Sequence, residues 1–144
     1  MHCVDVNVLL HASFSGSALH VQSRALLMSL RRSGEQVTVP SLVVSGFLRV
    51  STDRRVFDPP KSPDEAIAFV ESLTASPSVV IVEPGVRHWA IFRDLVREHG
   101  LCGPDVTDAY LAAVALEYGA TWVSYDRGFA RFRGLHWLNP ADTA

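Results

Sequence analysis

The chain has 144 residues, 48% of them hydrophobic and 19% charged, which suits one globular domain over positions 1–144 and excludes wholesale disorder. A chain of this length buries enough surface to fold without a disulfide framework or structural metal. The formal net charge of −2 excludes a global basic field for nucleic acid. All basic residues except Lys61 are arginine, however, and the planar guanidinium suits phosphate.

The β-branched opening Cys3-Val4-Asp5-Val6-Asn7-Val8 reads as a buried strand that passes into a helix near Asn7. Residues 17–32 are helical in pattern, with Ser33-Gly34 as the stop. Val37-Thr38-Val39 is a strand, and Pro40-Ser41 opens a helix to about Val50. Residues 51–62, with Pro59-Pro60 inside, form a loop. Pro63-Asp64-Glu65 starts the next helix, with proline in its first turn and acids at its positive end. Val79-Val80-Ile81-Val82 reads as a strand buried on both faces. Helices over 86–99 and 106–118 end at Gly100 and Gly119, and the second is rich in alanine. Thr121-Trp122-Val123-Ser124 is a strand, Asp126-Arg127-Gly128 turns into a short helix, and residues 135–138 form a last strand. Apolar strands alternating with helices predict an α/β sandwich, with a mostly parallel sheet of about five strands covered by helices on both faces.

In such sheets ligands sit beyond the carboxyl ends of the strands. Asp5 lies in the first strand with valines on either side, and reads either as a helix cap or as a site carboxylate. Asp126 follows the 121–124 strand, and is either a turn residue or a second site acid. Asp105 and Asp108 open the alanine-rich helix, as an N-cap with a second acid or as further site carboxylates on one helix face. Each is unexceptional singly. Gathered at one sheet edge they repel, and a cation relieves that repulsion. Oxygen ligands without clustered His or Cys favour Mg²⁺ or Mn²⁺ over zinc. The six histidines make no metal-binding spacing, and Cys3 and Cys102 make no zinc pattern. No P-loop, GxGxxG or nucleophile elbow is present. No apolar run reaches the ~20 residues of a membrane span, and the start has no basic-then-apolar leader, so the expected compartment is the cytoplasm.

Several stretches, in order along the whole chain, carry a family resemblance. They are Val4-Asp5-Val6-Asn7-Val8-Leu9, Phe47-Leu48-Arg49-Val50, Arg54-Arg55-Val56-Phe57, Thr107-Asp108-Ala109-Tyr110-Leu111-Ala112-Ala113, Asp126-Arg127-Gly128-Phe129-Ala130-Arg131-Phe132 and Gly134-Leu135-His136-Trp137. In these the chain resembles the PIN-domain ribonucleases, specifically VapC-type toxins of toxin–antitoxin pairs, in a mycobacterial-like branch. The resemblance implies a Mg²⁺-dependent endoribonuclease, Mn²⁺ being the alternative ion. It places the family's metal-holding acids on Asp5, Asp108 and Asp126 and its small polar residue on Asn7, with Asp105 near enough to assist. It further implies an RNA substrate, a VapB-like antitoxin and a homodimer.

Arg127, Arg131 and Arg133 follow the late acid, and read either as RNA phosphate contacts or as a solvated face. One position departs from the family: Gly46 stands where a helix glutamate is usual. That supports a competing reading, a catalytically weak module that binds RNA or an antitoxin without efficient cleavage. A third reading, a phosphoryl-accepting receiver-like domain, needs a lysine beside the acids, and Lys61 lies in a proline-rich loop.

Overall fold

A computed structural model describes residues 1–142; the last two positions of the expected domain lie outside the described residues. In chain order the elements are β1 (His2–Val4), α1 (Val6–Ser13), α2 (His20–Arg32), β2 (Val37–Pro40), α3 (Ser41–Ser51), α4 (Pro63–Thr74), β3 (Val79–Val82), α5 (His88–His99), α6 (Pro104–Tyr118), β4 (Thr121–Val123) and β5 (Trp137–Leu138). Short 3-10 turns span Arg127–Arg131 and Pro140–Asp142.

The five strands form one sheet in the order β3-β2-β1-β4-β5, and every pairing is parallel. The chain lays β1, β2 and β3 outward in one direction, then crosses to add β4 on the other side of β1. The strand order therefore reverses between β1 and β4, which is where parallel α/β sheets open a crevice at their carboxyl ends. Helices pack in two groups, α1 with α2 and α3 (and α3 with α4), and α5 with α6.

Val4, Val37, Val39, Trp122 and Val123 are buried in the sheet, against Val8 and Leu9 of α1 and Phe47 of α3. In α6 every residue from Leu111 to Ala115 is buried. A helix apolar all round is an interior helix, and its small alanines allow close approach on several sides. Gly100 and Gly119 stop α5 and α6 with φ of 58° and 64°, the left-handed cap that glycine adopts without steric cost. At α4 the expected start is reinforced by a capping box, in which Ser62 and Glu65 bond each other's backbone N–H.

Three sequence expectations are corrected. The 79–82 strand is not buried on both faces: β3 is an edge strand, and Ile81 is 46% exposed. The second helix begins at His20 rather than Ser17, because the Ser17 hydroxyl accepts the Leu19 N–H at 3.2 Å and sets a turn. Asp105 does not cap α6; Gly103 holds that position and no side chain caps it. Lys61 donates to the Ser13 carbonyl at 2.9 Å, at the opposite end of α1 from Asp5. That removes the lysine a receiver-like site requires.

Candidate active site

The parallel register pairs Val4 with Val123, so the next residues, Asp5 and Ser124, leave β1 and β4 side by side. The Asp5 backbone N–H still donates to the Val123 carbonyl at 3.0 Å, which fixes where its side chain begins. Asp5 is the N-cap of α1, its Oδ1 accepting the Val6 N–H at 2.7 Å. The helix-cap reading is thus correct. Asp5 is buried, at 4% exposure, where an ionised carboxylate needs compensation.

That compensation comes from Ser124 and Asn7. The Ser124 hydroxyl donates to Asp5 Oδ2 at 2.6 Å, and the Asn7 amide donates to the same oxygen at 3.2 Å. Asn7 also donates to Ser124 Oγ at 3.0 Å, while its Oδ1 accepts the Tyr125 N–H at 3.1 Å. One amide thereby joins the ends of β1 and β4. Ser124 Oγ also accepts the Asp126 N–H at 3.0 Å, which orients the late acid. The Asp126 carboxylate accepts the Gly128 N–H at 2.8 Å and caps the 3-10 turn. Its turn-residue reading is therefore correct as well.

Asp5, Asp108 and Asp126 lie close enough to act on one another's charge. Burial pushes the Asp5 carboxyl up to about 6; bonds from Ser124 and Val6 oppose that shift, and the charges of Asp108 and Asp126 add to it. Burial and Asp126 raise the Asp108 carboxyl too, against the Arg131 guanidinium. The structure thus brings Asp5, Asn7, Asp108 and Asp126 to one edge. Asp105 is at the rim, more exposed than Asp108, with Arg131 Nη2 3.9 Å from its Oδ1.

The three arginines do not share one role. Arg131 points inward and its Nη2 donates to Asp108 Oδ2 at 3.0 Å. Arg127 makes a forked, exposed pair with Asp142 at 2.9 and 3.3 Å. Arg133 is exposed and makes no ion pair among the described residues. Gly46 lies inside α3 facing the first turn of α1, where an added Cβ would meet Val6 Cγ2 at 3.8 Å.

The donor set is oxygen only, the chemistry that suits a hard divalent cation. Among the described residues no three Asp, Glu, His or Cys side chains converge on a single point as a cage. Mg²⁺ commonly takes one or two carboxylates and keeps several waters, so Asp5, Asp108 and Asp126 are the residues that could hold one.

Sequence reading missed Ser124 as a site residue. The sequence carries no signal for it, because only the pairing of β1 with β4 places the residue after Val123 beside Asp5.

The PIN domain family matches residues 2–135. The chain is 48% identical over 142 residues to VapC ribonuclease Mb2897 of Mycobacterium bovis, covering 99% of this chain and 97% of that one. It is 39% identical over 140 residues to ribonuclease VapC25 of Mycobacterium tuberculosis, covering 97% and 99%. Among solved structures, VapBC2 from Rickettsia felis, bound to a DNA fragment from its promoter, superposes with a TM-score of 0.71 at 15% identity, covering 96% and 97%. FitAcB from Neisseria gonorrhoeae gives 0.70 at 20% identity, covering 99% and 100%. The last two establish the same fold.

Proposed function

This chain belongs to the PIN-domain family, in its VapC branch, and on that premise we propose that it is a Mg²⁺-dependent endoribonuclease, the toxin of a type II toxin–antitoxin pair. The observation that carries the reading is the buried Asp5 carboxylate, with Asp108 and Asp126 near enough to press its proton affinity upward. Three acids held in mutual repulsion are a costly arrangement for stability and a useful one for gripping a cation.

Asp5 and Asp108 would hold Mg²⁺, or Mn²⁺ in its place, with Asp126 ligating directly or through water. When bound, the ion supplies a nucleophilic water at neutral pH and polarises the scissile phosphate. The chain's own part is positional. Ser124 and Asn7 aim the Asp5 carboxylate, and the Ser124 bond favours its charged form against the effect of burial. Ser124, through the Asp126 N–H, holds the late acid at the same edge. The RNA backbone would approach from the carboxyl ends of the strands.

The partner we propose is a VapB-type antitoxin, in keeping with the VapBC character of the structural neighbour, and the assembly a homodimer. No helix of the described residues is long and apolar enough to cross a membrane.

The test is cleavage of an RNA pool by purified protein with Mg²⁺, Mn²⁺ or EDTA. Cleavage should require the metal and be lost in Asp5→Asn and Asp108→Asn. RNA that is bound but left intact under every metal condition would favour the weak binding module to which Gly46 gives support.

A further inference from the structure

We propose that Arg131 is a built-in competitor of the metal: its guanidinium neutralises Asp108 in the metal-free protein, must release that carboxylate for the ion to bind, and is then free for a substrate phosphate. The proposal rests on the metal-site reading above.

The position of Arg131 is tied to the site by construction. Asp126 caps the 3-10 turn that ends at Arg131, so one turn delivers both a site acid and its counter-charge. Gly128 makes the room. A Cβ there would stand 3.0 Å from Asp126 Oδ1 and 3.2 Å from Arg131 Nη1, tighter than ordinary contacts, so any larger residue would displace the carboxylate, the guanidinium or both. On its other side the guanidinium carbon lies 4.8 Å from the Phe132 ring centroid.

The hold on Asp108 is nevertheless incomplete. A structural arginine normally meets a carboxylate with two parallel bonds. Arg131 spends Nη2 on Asp108 at 3.0 Å, with Asp105 at 3.9 Å, and its buried Nε has no hydrogen-bond partner. A buried donor left unsatisfied is a cost that a fully satisfied arrangement would avoid. Charge holds the side chain in place, while its buried Nε is left without a partner. Arg131 holds Oδ2 of Asp108, and an ion binding that carboxylate would compete with the guanidinium for its negative charge. The displaced guanidinium would keep five donors beside the place where a phosphate must sit, and phosphate suits its fork.

The decisive measurement is calorimetric titration of MnCl₂ into wild type, Arg131→Gln, Arg131→Lys, Asp108→Asn and the Asp108→Asn/Arg131→Gln double variant. Arg131→Gln should bind Mn²⁺ roughly fivefold more tightly than wild type, the scale of a partly exposed charge pair. Arg131→Lys, which keeps the charge, should stay near wild type, and guards against misreading a Gln variant that folds poorly. In the Asp108→Asn background the Gln substitution should bring no gain, because the competition runs through that carboxylate. Wild-type binding with Arg131→Gln equal or weaker would overturn the competitor role while leaving the metal site standing. No heat of Mn²⁺ binding in any variant would overturn the metal-site reading and this inference together.

Discussion

The Ser124 hydroxyl donates a 2.6 Å hydrogen bond to Asp5 Oδ2, joining residues 119 positions apart. The bond exists because β1 and β4 are parallel neighbours in register, and each sheds its next residue at the same edge. Ser124 is itself fully buried, so its hydroxyl has no water to fall back on. It serves three groups: it donates to Asp5, and it accepts from Asn7 and Asp126. Ser124→Ala should therefore destabilise the protein by about 1–3 kcal/mol, the range for a lost bond to a charged group plus donors left unpaired. It should also weaken Mg²⁺ at neutral pH, because Asp5 loses its strongest support for the charged form. Thermal melts and metal titrations check both, and a Ser124→Ala protein matching wild type in both would remove Ser124 from the site.

The Asp5 carboxyl, pushed up to about 6 by burial, lies above its unfolded value. The folded state then binds the proton more tightly than the unfolded state does. This stability contribution is fully present below about pH 4 and is lost as pH rises through about 6. Metal-free protein should accordingly lose stability between about pH 4 and 6 from this group, and Asp5→Asn should flatten that slope. At pH 7.5 in EDTA the Asn variant should melt higher than wild type, on the order of 5 °C. Added Mg²⁺ should reverse the ranking, since metal binds the native state of wild type alone. Melting curves in EDTA with identical pH slopes for the two proteins would contradict the buried-charge account.

The α/β alternation, the glycine stops at Gly100 and Gly119 and the acids at strand and helix ends were all legible, because each follows from local pattern. Edge position was not. Val79-Val80-Ile81-Val82 is as apolar as an interior strand, and only the order β3-β2-β1-β4-β5 exposes Ile81. The division of labour among arginines was also invisible. Arg127, Arg131 and Arg133 are close in sequence, but a 3-10 turn sends them to different surroundings, and no periodicity in five residues fixes that. Ser124 was overlooked for a different reason: a lone serine closing a strand pattern says nothing until its parallel neighbour is known.

Those separate surroundings make the arginines distinguishable in RNA binding. Arg133 is exposed and makes no ion pair among the described residues, whereas Arg127 must first leave Asp142. For a single-stranded RNA, Arg133→Ala should lower the salt slope of binding by about 0.7 if it meets one phosphate. Arg127→Ala should change it less, with the released Asp142 adding repulsion. Neither should shift the melting temperature appreciably, because exposed pairs contribute little. Salt titrations that leave the Arg133→Ala slope at the wild-type value would return Arg133 to the solvated face.

Gly46 is the remaining departure, and its surroundings make it testable. It lies within α3, where glycine costs roughly 1 kcal/mol relative to alanine. An added Cβ would meet only Val6 Cγ2, at 3.8 Å, an ordinary contact that needs no rearrangement. Val6 directly follows Asp5 and opens α1, so a side chain at 46 starts beside the turn that carries the first acid. Gly46→Ala should then raise the melting temperature by a few degrees, from helix propensity alone. Gly46→Glu should bring a similar propensity gain, offset in metal-free protein by a further negative charge near Asp5. In Mg²⁺ that offset should become an advantage, with tighter metal binding and faster RNA cleavage than the Ala variant. The comparison between the two substitutions isolates the carboxylate from the helix effect. If Gly46→Glu binds Mg²⁺ and cleaves RNA no better than Gly46→Ala, the side chain at 46 runs past the acids toward solvent, and its family role as a metal ligand does not extend to this chain.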